Sequence, residues 1–282
     1  GALSTGRTEV GVGGVGRFVQ SGGSHKVAGA IRIGGGPYWS LPTMEPVEPG
    51  TALPEIWPPY PGPSKGSYEM IDGRLHAARI DVGAGYTPWP YPWDYEPSNA
   101  TLTDVARPVA PWSWGVFRQT GGEVTADACV SVHGGLYEIA NGSLSAQCIV
   151  VGGRYRYDHS RFIQTGGFVE AGSVHVGAHA YIDRLSVDAD VSGAATDFGP
   201  YPAAETYKLA GGRLRAERVE LGGAGRSMLV QTGGVLTADR LAVHAGHGTY
   251  SVCRGAVQAG VMQIGSRANA HDANAATNWL RI

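Results

Sequence analysis

The chain has 282 residues, 44 of them glycine, and 22 Lys and Arg stand against 24 Asp and Glu for a net charge of -2. That balance excludes the basic face wanted by a nucleic acid or an anionic membrane surface. No apolar run approaches the roughly 20 residues of a membrane-spanning helix, and only 16% of residues are charged, which suits a body that sits in an assembly.

No signal peptide is visible at the N-terminus. A start at Gly1 rather than methionine is what a processed mature chain would show. Val10-Gly11-Val12-Gly13 matches Val219-Glu220-Leu221-Gly222 further on, so the chain is expected to enter partway through a structural repeat.

The repeat itself is anchored on glycines at Gly23, Gly73, Gly122, Gly142, Gly167, Gly212, Gly234 and Gly255. Five residues before each anchor stand Phe18, Tyr68, Phe117, Tyr137, Phe162, Tyr207, Leu229 and Tyr250. Two residues after it come Leu75, Val124, Leu144, Val169, Leu214, Leu236 and Val257, with His25 alone breaking the column. An alanine recurs two residues later in all units but the first, followed by an apolar-x-apolar pair such as Ile80 and Val82. In the first and third units that pair comes one residue late, which a bulge would absorb.

Apolar and polar residues alternate within each short segment, the period of a half-buried strand. Glycine density and β-branched content exclude a helix. Short segments closing every 20 to 22 residues predict an all-β fold: a single-domain parallel β-helix, or β-solenoid, of about eight coils with three strands each.

A finer alternation lies inside the repeat. Units with Phe or Leu at the aromatic position carry Gln20, Gln119, Gln164 and Gln231 two residues on, whereas Tyr units carry Met70, Ile139, Leu209 and Val252. An inward glutamine needs partners, because an unpaired buried amide costs about 1–3 kcal/mol. A tyrosine hydroxyl from the neighbouring coil or a turn carbonyl would serve; a row of glutamines contacting ligand is the functional alternative.

The Q-[ST]-G-G … G-x-Y-x-Φ-x-x-G alternation resembles the glycine-rich β-helix repeats of bacterial cell-surface proteins. These include autotransporter-type passengers and secreted proteins with PEP-CTERM sorting tails. The resemblance implies an extracellular structural or adhesive role. This chain differs from those families in its proline-rich insertions and in ending at Ile282 without an anchoring tail.

All prolines fall in Pro37–Pro63, Pro88–Pro111 and Pro200–Pro202, outside the coils, where the ladder would need every backbone N–H. The insertions 37–65 and 86–114 also hold Trp39, Trp57, Trp89, Trp93, Trp112 and Trp114. They are expected to leave the rod at one corner. Their aromatics would stack on sugar rings, pack on a neighbouring subunit or fold back on their own solenoid. Residues 178–205 read as a degenerate coil or a hairpin insertion.

At the C-terminus, Trp279 takes the aromatic place of an unfinished coil, with Leu280 and Ile282 after it. Val10 and Val12 at one end, and Trp279, Leu280 and Ile282 at the other, are thus the candidate subunit interface. A heterologous contact of this kind propagates into a filament.

Little in the chain points to chemistry. Gly11–Gly16 fits G-x-G-x-x-G without the helix a dinucleotide site needs. The histidines, including His133, His175 and His244, lack metal-ligand spacing and read as isolated surface residues. Asp81, Glu123, Asp127, Glu170, Glu217, Glu220 and Asp239 alternate with arginines like a solvated face, and Asp94 with Glu96 form the best acidic group near aromatics. Cys129 and Cys148 fall in register on adjacent coils, either as a disulfide or as two small buried side chains.

The expectation is an extracellular structural protein without cofactor or catalysis, polymerising head to tail with itself. The alternative is a carbohydrate-binding or carbohydrate-degrading β-helix whose partner is a polysaccharide.

Overall fold

The computed structural model describes residues 1–35, 64–83, 114–152, 160–177, 204–222, 226–244, 248–265 and 279–281. These residues are strand, turn and bend, with no helix among them. In chain order the strands are β1 (Ala2–Thr5), β2 (Thr8–Val10), β3 (Val15–Ile33), β4 (Lys65–Val82), β5 (Trp114–Gln119) and β6 (Glu123–Val132). Then come β7 (Gly135–Ile139), β8 (Ser143–Val151), β9 (Arg161–Gln164), β10 (Phe168–Val176), β11 (Ala204–Leu209) and β12 (Arg213–Leu221). The last are β13 (Arg226–Gln231), β14 (Val235–Val243), β15 (Gly248–Val252), β16 (Ala256–Ile264) and β17 (Trp279–Arg281).

Every ladder among the described residues is parallel, and there are two columns of them. One joins the first part of β3 to β4, β5, β7, β9, β11, β13, β15 and β17 in turn. The other joins β1 and β2 to the rest of β3, then to β4, β6, β8, β10, β12, β14 and β16. Each passage through both columns advances the chain by one strand spacing, about 4.8 Å. The arrangement fits a β-solenoid.

One expectation about the strands needs adjusting. The second and third segments of a unit run on as one strand, as in Ser143–Val151, because only a one- or two-residue corner lies between them and the ladder continues across it. Register shifts do fall where the late apolar pairs require them, between Val27 and Ala30 and between Ala126 and Cys129. Further along, β9 and β10 pair directly with β11 and β12, and residues 178–203, which hold most of the expected degenerate coil or hairpin insertion, lie outside the described residues.

Glycine sets the corners. Gly122 and Gly234 hold φ of +73° and +71°, a left-handed turn that side chains with a Cβ resist. Gly66 is needed for a different reason: a Cβ there would run into the backbones of Gly34 and Val10.

Inside, the aromatic position forms one stack through Phe18, Tyr68, Phe117, Tyr137, Phe162 and Tyr207. Ring centroids are 4.6 to 5.0 Å apart, the rise of the coils themselves. Leu229 ends the stack, and Tyr250 follows it in register. The aliphatic columns complete a continuous core, including Leu75, Val124, Leu144, Val169, Leu214 and Leu236, each at most 1% exposed. Burying each such side chain contributes about 1.5–3 kcal/mol.

The Phe/Gln and Tyr/aliphatic alternation has a direct structural cause. Tyr68, Tyr137, Tyr207 and Tyr250 donate their hydroxyls to the amide oxygens of Gln20, Gln119, Gln164 and Gln231, at 2.8, 3.1, 2.9 and 2.8 Å. Each glutamine Nε2 donates in turn to a carbonyl of that same next coil, at Arg74, Ser143, Arg213 and Ala256. It also reaches the anchor glycine of its own turn, as Gln119 does to Gly122 at 3.2 Å. Consecutive coils are therefore joined in pairs. Burial raises the tyrosine pKa values above the ordinary phenol range, so the donors stay protonated.

Tyr137→Phe leaves the Gln119 carbonyl oxygen buried without its donor, at a cost of about 1–3 kcal/mol in urea unfolding. In a double-mutant cycle with Gln119→Leu the coupling is expected at about 0.5–3 kcal/mol. Additive losses would contradict the pairing.

Candidate functional site

Both ladder columns end in strands that have a neighbour on one side only among the described residues. At one end these are β1 and β2 beside the start of β3; at the other they are β16 and β17. Strand edges of this kind present unpaired N–H and C=O groups to other chains. On β16 the side chains of Val261, Met262 and Ile264 are 57%, 43% and 42% exposed, and on β1 Leu3 is 43% exposed.

The register at these ends differs from the sequence expectation. Val10 lies opposite Ile33, in the column that runs through Val82, Val132, Val151, Val176 and Leu221 to Ile264. Thr8 and Val10, not Val10 and Val12, thus take the places of Val219 and Leu221. Val12 sits one step beyond, in the turn before β3. The polar Thr8 hides this register from a reading based on apolar pairs. At the other end Leu280, not Trp279, lies opposite Tyr250, and Trp279 lies opposite Thr249. An aliphatic already replaces the aromatic at Leu229, so ring chemistry does not fix that register.

Of the insertion aromatics, Trp39, Trp57, Trp89, Trp93 and Trp112 lie outside the described residues, as do Ile282, Asp94 and Glu96. Trp114 opens β5, half-buried, with its N–H donated to the Ser64 carbonyl at 2.8 Å.

His25 holds the first edge in place. It is 2% exposed, and its Nδ1 lies 3.0 Å from the Tyr68 hydroxyl. Its Nε2 lies 3.2 Å from Thr8 Oγ1 and 3.4 Å from Thr5 Oγ1, and the two threonine hydroxyls are 2.9 Å apart. Tyr68 already donates to Gln20, so Nδ1–H donates to Tyr68 and Nε2 accepts from threonine. One neutral imidazole thereby ties β1 and β2 to the first pair of coils. Desolvation lowers its pKa below the ordinary value of 6.5.

A second polar cluster was not legible as such. Glu220, 7% exposed, lies between His175 on the preceding coil at 3.4 Å and His244 on the following one at 3.9 Å. The His175 ring beside it holds its carboxyl below the usual range, helped by His244 and Arg218 and opposed by burial. Asp81 is also buried, 2.6 Å from Arg79. The solvated acidic face therefore covers only part of the expected set: Glu123, Asp127, Glu170, Glu217 and Asp239 are exposed, but Asp81 and Glu220 are not. His175 and His244 are likewise not isolated surface residues. Only the ladder, which stacks positions some 20 to 45 residues apart, brings these three side chains together.

Glu170, Arg215, Glu217 and Asp239 line a shallow surface groove of about 250 Å³, with Arg215 paired to Glu170 at 3.5 Å. Among the described residues no group of three or more His, Cys, Asp or Glu side chains is placed to hold a metal ion. Cys129 and Cys148 stand directly opposite on β6 and β8 and are joined as a disulfide, with Cα atoms 4.6 Å apart. Cys253 is free and exposed.

No protein-family model, curated protein or solved structure matches this chain.

The native His25 is neutral, so its stabilisation is fully present above pH 6.5 and is lost as pH falls below that value. The melting temperature of the parent is expected to drop more between pH 7 and pH 5 than that of His25→Leu, which restores the aliphatic column. Equal drops would remove His25 from the account. Under denaturing, non-reducing conditions, a thiol reagent is expected to titrate one cysteine per chain, Cys253, and three after reduction. Three before reduction would contradict the disulfide.

Proposed function

We propose that the protein is an extracellular structural subunit, a β-solenoid of eight full coils that builds a filament or surface layer by head-to-tail stacking. The observation that carries this reading is the pair of edges that are one-sided among the described residues, β1 with β2 and β16 with β17, both parallel to the coils beneath them. A lone solenoid normally blunts such edges with charge, proline or a cap. Here β16 instead exposes Val261, Met262 and Ile264 along its length.

The interior supports a mechanical role. Most inward side chains of the described residues are apolar, and the inward glutamines and tyrosines bond to one another. An inter-coil disulfide at Cys129 and Cys148 is of a kind that persists in oxidising, extracellular surroundings. The resemblance to repeats of secreted surface proteins points the same way.

Negative-stain microscopy of the concentrated protein is expected to show rods one solenoid wide. Met262→Lys with Ile264→Lys puts charges on the edge strand and should leave folded monomers, checked by circular dichroism. Rods from the doubly charged variant, or a monodisperse parent at every concentration, would overturn the reading.

A further inference from the structure

We infer that Asn141 is a site of covalent self-modification: in the folded solenoid the Asn141-Gly142 corner closes to a cyclic imide and reopens as aspartate or isoaspartate. The inference concerns one corner between coils and holds whether or not copies of the chain stack.

The repeat itself sets up the chemistry. Just before the anchor glycines stand Gly22, Asp72, Gly121, Asn141, Gly166, Gly211, Gly233 and Arg254, so Asn141 is the one asparagine at this corner. Gly142 holds φ of +86°, and a Cβ there would collide with the backbone of Gly121 and Gly122 on the preceding coil. The fold therefore demands glycine at this position. That demand leaves the backbone nitrogen after Asn141 with no side chain to screen it.

The same nitrogen stands outside the ladder. Ala140 donates its N–H to the Gln119 carbonyl at 2.8 Å, and Ser143 donates to the Gly122 carbonyl at 2.9 Å. Between them, the Gly142 N–H donates to the Oδ1 of Asn141 at 2.9 Å. This contact brings Cγ, one bond behind Oδ1, beside the nitrogen that attacks it. Asn141 is exposed, so water and hydroxide reach the corner.

The step balances with water alone. Solvent base removes the Gly142 N–H proton, the nitrogen bonds to Cγ, and the side-chain amide leaves as ammonia with a proton taken from water. The imide then takes up water. Opening at Cγ gives aspartate, and opening at the Asn141 carbonyl carbon gives isoaspartate, whose main chain runs through Cγ.

The isoaspartate adds a methylene to a main chain that is held on both sides. Ser143 is tied to Gly122 on one coil, and the Gly142 carbonyl accepts from the Phe168 N–H of the other at 2.9 Å. Gln119, which bonds the Ser143 carbonyl at 2.8 Å and accepts from Tyr137, meets the same corner. Conversion thus strains one coil pair, whereas the aspartate product keeps the backbone path and adds a charge.

The test follows one peptide. The full chain is aged in mildly alkaline buffer, reduced and digested with trypsin, which releases residues 119–154 with Asn141 as their single asparagine. Fragmentation mass spectrometry and isoaspartyl methyltransferase labelling then read residue 141. A corner that had to open first would be slowed by its opening equilibrium, so conversion in the folded chain is expected within about tenfold of the rate in guanidinium chloride. The rate should also rise with pH. Asn141→Gly restores the residue common in this column and should keep the parent's circular dichroism while losing the label from this peptide. A folded chain that does not convert, or converts more slowly than that range, would overturn the inference, as would label that persists in Asn141→Gly.

Discussion

A parallel ladder satisfies its backbone only from above and below, and everything else in this molecule follows from that constraint. Each coil owes its N–H and C=O partners to its two neighbours, so no coil is stable alone and none can be exchanged for a different shape. Proline stays out of the strands, and corner glycines such as Gly66 let backbones approach where a Cβ would collide. The same constraint leaves two rows of donors and acceptors at the outer strands.

Within the stack, the hydrogen bond from tyrosine to the preceding coil's glutamine sets a period of two coils. A purely aliphatic column would fill the same space, and four of the positions are aliphatic. The glutamines add a contact that only the correct neighbour can complete, since a slipped coil would leave an amide buried without a partner. Pairing of this kind specifies register more than it adds stability. It also divides the rod into closed units, and the edges of the described solenoid coincide with edges of such units. The His25 chain is the exception: it spreads from the first pair onto β1 and β2, and its need for a neutral imidazole makes that end the acid-sensitive one.

Much of this was legible in the sequence because a solenoid writes its fold as a period. The anchor glycines, the aromatic column, the alanine column and the two bulges can be placed by counting residues. The need of the inward glutamines for partners was also legible, and tyrosine was one of the two partners expected. The ends are harder to read, since the repeat thins where Thr8 stands for an aliphatic and Leu280 for an aromatic; matching by apolar and aromatic residues puts Val12 two residues, and Trp279 one residue, away from the column. Contacts between outward residues were hidden for a different reason. His175, Glu220 and His244 meet because insertions of unequal length still return the chain to the same column, which no local spacing reveals.

The central claim is that copies of this chain stack end to end with their strands across one continuous rod. The most direct test is the diffraction of assembled rods, measured by electron cryomicroscopy. End-to-end stacking predicts layer lines at about 4.8 Å along the rod axis. Rods without the 4.8 Å spacing along their axis would contradict it.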